Sequence, residues 1–291
     1  MANLAAIRER FLSLRETMSY TQFEGEYLRR LHDELKFYMG SGDPGLSNSA
    51  HLGLMEMLFY IDVYLSKDVD AQVLYNTLRD RFGEDSPKLY AMKATLLQIN
   101  DGDQIAIEYI EKMLNEKLEY DTDSVSYVLL QKRLIAIKAP AHNNEWLLSQ
   151  LLELSEKFPL DSEIWWMLGN TYMELGQFES ASYCYEEVVI LLPFNYVAFA
   201  QLAEALYYKA NRVDKLQAKV NSTLQMALNN ALRSVEISEL YLKGWCFIAK
   251  ITSLLNEKKE LRNLSLSKIS EIAKYSNKQD QVTAKLILNK L

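Results

Sequence analysis

Residues that break helices are scarce in this chain, with 10 glycines and 5 prolines among 291 residues. That excludes collagen-like and linker-rich sequences and leaves long stretches able to stay helical. Cysteine is scarcer still: Cys184 and Cys246 are the whole supply. Two thiols far apart in sequence make no disulfide framework, and both fall in helical patterns suited to small apolar positions in a reducing compartment. There are three histidines, His32, His51 and His142. None stands three or four residues from another histidine or a cysteine, so the spacing carries no zinc motif. Long apolar runs are missing as well. The cleanest, 188–192, stops at Pro193, whereas a membrane-spanning helix needs about 20 residues. The opening residues MANLAAIRER have no apolar stretch behind a basic start, so no signal peptide is expected.

Positive charge is in short supply too. The net charge of −7 disfavours nucleic-acid binding, which requires clustered cations facing phosphates. The balance is uneven. Residues 243–291 hold ten Lys and Arg against four Asp and Glu, about +6, and leave about −13 on the rest. Such a segment is either a solvated lysine-rich helix pair or a face turned toward anionic lipid or an acidic partner.

Catalytic signatures are absent. No G-x-S-x-G, H-E-x-x-H or P-loop occurs. The run Gly40-Ser-Gly-Asp-Pro-Gly45 spells G-x-G-x-x-G, but it follows a helical pattern where a dinucleotide site needs a strand, and it reads as a helix-breaking loop. Asp121-Thr-Asp123 resembles a helix start and lacks the remaining ligands of a calcium loop. No enzyme activity, cofactor or metal is expected.

What the chain does have is helical periodicity throughout, with no alternating strand pattern. Its clearest stretch lies between Pro159 and Pro193, 34 residues apart. Over 162–195, Trp165, Leu168, Gly169, Tyr172, Ala181, Tyr185, Val188 and Pro193 match the tetratricopeptide (TPR) pattern, a helix–turn–helix of 34 residues. Gly169 and Ala181 stand where the two helices of such a pair approach closest. Stepping outward, weaker repeats read at 128–161, 87–120 and 52–85 and, forward, at 196–238 and 240–275. About 12 extra residues near 209–223 lengthen the fifth. A single repeat cannot bury its own apolar face, so an array is expected. The predicted fold is all-α, a TPR-type α-solenoid of about five to six helix pairs. Capping helices are placed at 1–39 with Phe11, Leu14, Tyr27, Leu31 and Leu35 as their seam, a loop at 40–50, the array at 51–275 and a helical tail at 276–291.

From 161 to 208 the sequence DSEIWWMLGNTYMELGQFESASYCYEEVVILLPFNYVAFAQLAEALYY goes beyond the generic repeat. It resembles the second-subunit family of the endoplasmic reticulum (ER) membrane protein complex, an insertase for transmembrane segments. The residues that carry the resemblance are Asp161, Trp165, Leu168, Tyr172, Ala181, Cys184, Glu186, Glu187, Pro193, Phe194, Asn195, Ala203 and Glu204. It implies a non-catalytic scaffold on the cytoplasmic face of the ER membrane, peripheral to it, assembled with membrane-embedded sister subunits and cradling their cytosolic segments.

In a TPR stack, positions 2, 5, 9, 12 and 13 of the first helices face the groove. These positions include Thr95, Gln98, Lys132, Trp166, Asn170, Met173, Glu204, Tyr207 and Tyr208. Their mix of aromatic, amide and single charges suits an extended peptide or partner helix; the competing reading is that several pack between repeats. The other function weighed is a co-chaperone that grips an acidic chaperone C-terminus. Its two-carboxylate clamp would need, after Lys132, two asparagines and then two basic residues, yet those positions hold Ala136 and Met167, then Val197 and Gln201.

Overall fold

A computed structural model describes residues 4–212, 216–255, 258–276 and 278–290. Among them all regular secondary structure is helical. The α-helices in order are α1 (Leu4–Glu16), α2 (Gly25–Gly40), α3 (Asn48–Tyr64), α4 (Asp68–Phe82), α5 (Pro87–Asp101), α6 (Asp103–Lys112), α7 (Val125–Lys138), α8 (Asn144–Lys157), α9 (Ser162–Glu174), α10 (Phe178–Leu191), α11 (Tyr196–Arg212), α12 (Gln217–Ile237), α13 (Leu242–Leu254), α14 (Lys259–Ala273) and α15 (Lys278–Lys290). Two compact units form, Met1–Leu147 and Leu148–Leu291. No helix among the described residues is long and apolar enough to cross a membrane.

Local chemistry sets the helix starts. Orphan N–H groups at a helix N-terminus need acceptors, and short polar side chains supply them. Ser47 accepts from the Ala50 N–H, and Ser124 from that of Tyr127. Asp161 accepts from Glu163 and Ile164, and Asn195 from Val197 and Ala198. The start expected at Asp121–Asp123 is taken by Ser124. At the α5–α6 turn Gly102 adopts φ 98°, a conformation that a side chain would oppose.

In the first unit, α1, α2 and α3 share a core of Phe11, Leu14, Leu28, Leu31, Leu35, Leu54 and Ile61. Tyr27 is not in that seam. Leu28 takes its place, in helical phase with Leu31 and Leu35, while Tyr27 stacks edge-on with Phe23 at 4.6 Å. The glycine-rich run is a structural loop. Its Asp43 accepts from the Tyr38 hydroxyl at 2.7 Å and pairs with Arg8 at 3.0 Å. A second cluster joins α3, α4 and α5 through Phe59, Ala71, Leu78 and Met92, and a third joins α5, α6 and α7 through Ala94, Ala106, Ile110 and Leu130.

The second unit has one continuous core, from Ala181 and Tyr185 through Leu206, Leu228 and Ile248 to Ile269 and Ala284. Its fifth-repeat helices are long, 17 residues in α11 and 21 in α12. Part of the expected insertion, 213–215, lies outside the described residues, as do 277 and 291 of the expected tail.

Candidate partner-binding face

In the second unit the first helices of successive pairs, α9, α11 and α13, present related rows. Trp166, Asn170 and Met173 stand at i, i+4 and i+7 on α9, so they share one face. Lys243, Phe247 and Lys250 repeat that spacing on α13. Gln201, Glu204, Tyr207 and Tyr208 lie on α11 between them. Lys243 Nζ pairs with Glu204 at 2.6 Å and also bonds Gln201. The Tyr207 and Phe247 rings meet edge to face at 5.8 Å. Lys250 Nζ lies 5.8 Å from the Tyr207 ring and 5.0 Å from that of Phe247, within cation–π range. Tyr208 stacks on Phe178 at 5.2 Å, with Arg212 over both rings.

These side chains are held from behind. Trp166 meets Tyr185 at 5.6 Å, and the Tyr185 hydroxyl donates to Asn170 Oδ1 at 2.7 Å. Burial raises the pKa of Tyr185, and to a lesser extent that of Tyr207, so both hydroxyls stay neutral donors at physiological pH. Trp166, Met173 and Tyr207 are partly buried against the core. The face is therefore half-buried, aromatic and flanked by cations and one carboxylate.

In the first unit the expected groove residues divide. Gln98 on α5 bonds Arg133 of α7 and donates to Asp103 at 2.7 Å. Thr95 and Lys132 are 2% and 8% exposed. The Thr95 hydroxyl donates to the Ala91 carbonyl at 2.9 Å. Both residues pack inside the unit, which corrects their placement on an open groove. There α5 and α7 pack directly on each other.

Of the repeat-packing residues, Leu168, Gly169, Ala181 and Tyr185 are buried, and Tyr172 is half-buried against the core. Trp165 donates its indole N–H to the Pro159 carbonyl at 2.8 Å. Pro193 is exposed in the α10–α11 turn, so it shapes a turn and does not pack. The α13 residues were missed by the sequence reading because 240–275 reads as degenerate. A signal was present, however. Trp245 donates to the Glu239 carbonyl at 2.7 Å, six residues back, as Trp165 does, and it occupies the same place in its helix.

Comparison with known proteins agrees with this architecture. The tetratricopeptide repeat family model matches residues 162–195. Over 98% of this chain and 98% of the relative, the sequence is 53% identical to ER membrane protein complex subunit 2 of Saccharomyces cerevisiae. The chain belongs to the ER membrane protein complex subunit 2 family. A second relative, the TPR repeat protein oca3 of Schizosaccharomyces pombe, is 31% identical over 74% of this chain and 72% of its own. Among solved structures, a Pyrococcus horikoshii signal-transduction ATPase with a tetratricopeptide repeat sensor has a TM-score of 0.55 at 14% identity. The match covers 99% of this chain and 44% of that one, and at that identity it speaks for the fold alone.

Proposed function

We propose that this chain is a non-catalytic scaffold subunit of the ER membrane protein complex, bound on the cytoplasmic side of the membrane through sister subunits. In this reading it helps to assemble an insertase for transmembrane segments. Full-length identity of 53% to the yeast subunit carries the proposal. The α9–α11–α13 face supports the mode of action. Aromatic rings with single charges and amides suit extended segments of partner chains, and a surface already ordered by Tyr185 and by the Glu204–Lys243 pair loses little freedom on binding. Trp166, Asn170, Met173, Glu204, Tyr207 and Tyr208 are proposed contacts, joined by Lys243 and Lys250. Gln98 is a proposed contact of the first unit.

The co-chaperone alternative gains no support, since Lys132 and Val197 of the would-be clamp are 8% and 3% exposed. Purification of the tagged chain from mild-detergent extracts tests the proposal. Stoichiometric recovery of several integral ER membrane proteins is expected, with partial loss in a Trp166→Ala, Tyr207→Ala variant. Recovery of cytosolic chaperones alone would overturn it.

A further inference from the structure

Three helices of the first unit bring a histidine and two carboxylates together. His32 comes from α2, Asp62 from the end of α3 and Asp70 from the first turn of α4. One ligand-type atom of each lies within 4.8 Å of the other two. His32 is 2% exposed and Asp62 1%. The short α3–α4 turn, with Ser66 at φ 55°, folds Asp70 back over Asp62.

The polar atoms inside this cluster are not satisfied by one another. Asp33 Oδ1 lies 2.8 Å from His32 Nδ1, which suits a ring that carries its proton on Nδ1. Nε2 stands 3.0 Å from Asp62 Oδ1 in a geometry that makes no hydrogen bond between them. Asp62 Oδ1 accepts no hydrogen bond, although a buried carboxylate without a partner is costly. Lys67 Nζ approaches the ring, at 3.0 Å from Nδ1 and 3.2 Å from Nε2, and leaves that oxygen unbonded. Lys36 lies 3.6 Å from Asp70 at the exposed side.

We propose that His32, Asp62 and Asp70 bind a divalent transition-metal ion, zinc fitting best. One imidazole nitrogen, two carboxylate oxygens and a water complete a tetrahedral set. The Asp33 carboxylate on the far nitrogen of the ring is the usual support of a ligating histidine, since it fixes the tautomer that leaves Nε2 free. A doubly charged cation offsets both carboxylates and gives the buried, unbonded Asp62 Oδ1 a partner. Tetrahedral zinc at about 2.0–2.2 Å needs ligand atoms closer together than 4.8 Å. Asp70 supplies the adjustment because its side chain is 46% exposed and free to turn inward. Lys67 and Lys36 swing toward solvent. The site is independent of partner binding by the second unit.

The test uses the full-length chain freed of metal by a chelator and titrated with zinc against a chromophoric competitor. One zinc per chain is expected, and zinc at 100 times its dissociation constant should raise the melting midpoint by about 4–5 °C. Asp70→Asn, at a half-exposed position, should leave the circular dichroism spectrum unchanged and weaken binding at least about tenfold. Lys67→Gln should tighten it, because the displaced ammonium no longer competes. X-ray absorption should show nitrogen and oxygen ligands only, since both cysteines lie in the other unit. No zinc uptake, a sulfur ligand, affinity unchanged in Asp70→Asn, or affinity not improved in Lys67→Gln would each overturn the proposal.

Discussion

Tyr185 of α10 lies across Gly169 of α9, so that a Cβ added to the glycine would stand 2.7 Å from Tyr185 Cε1. The same ring is 1% exposed, and its hydroxyl reaches one residue further, to Asn170. One pair of residues thus brings the two helices into close contact and orders Asn170 and Trp166 on the α9 face above it. Gly169→Ala forces the ring to move and should cost about 1–3 kcal/mol in urea unfolding. Gly25→Ala, with open space around its added Cβ, should be neutral or slightly stabilising. Equal midpoints for Gly169→Ala and wild type would contradict the contact.

Ala181 is fully buried in the same core. Ala181→Leu adds volume that a close-packed interior does not hold without strain, and a loss of about 1–3 kcal/mol is expected. Thermal unfolding reads it directly.

Ser234 of α12 is fully buried and donates its hydroxyl to the Tyr196 carbonyl of α11 at 2.7 Å. Ser234→Ala removes this second donor and leaves the carbonyl its helical partner, the Ala200 N–H, so a loss of about 0.5–1.5 kcal/mol is expected. Hydrogen exchange should quicken at the start of α11 more than in α14.

Ser66 holds a left-handed conformation at φ 55°, which disfavours any side chain. Ser66→Gly relieves this, and the gain exceeds the added freedom of the unfolded glycine. A stability increase of about 0.5–1 kcal/mol is expected from urea unfolding of the full chain. A decrease would show that the turn is not strained.

Burial pushes the Cys184 thiol from 9.0 up to about 12 and the Cys246 thiol up to about 11. The folded state therefore keeps protons that the unfolded chain releases above pH about 9. Stability should fall as pH rises from about 9 toward 12, and these groups should leave it unchanged below about 8. Urea midpoints at pH 8, 9 and 10 test the slope, which Cys184→Ala should reduce. At pH 8 a disulfide reagent should label both thiols much faster in urea than in buffer.

The central repeat was legible because its information is local. A 34-residue period with Gly169 and Ala181 at the close approach is written in short-range patterns that each helix pair must satisfy. Lys243, Phe247 and Lys250 were not legible by that route. Their helix pair departs from the consensus, and only contact with α11 reveals that they extend the same face. Thr95 and Lys132 occupy groove positions by count, yet burial depends on how closely α5 and α7 approach, which no single helix encodes.

The sequence by itself determined the all-helical class, the pairing of helices and the tetratricopeptide period, because helical phase and capping act over a few residues. The tertiary structure decided which of the expected groove positions stay accessible and brought His32, Asp62 and Asp70 to one point. The outer two lie 38 positions apart, and the three come from three helices, with no shared spacing. Their meeting depends on the packing of α2 on α3 and the turn through Ser66, which are properties of the assembled unit and of no segment within it.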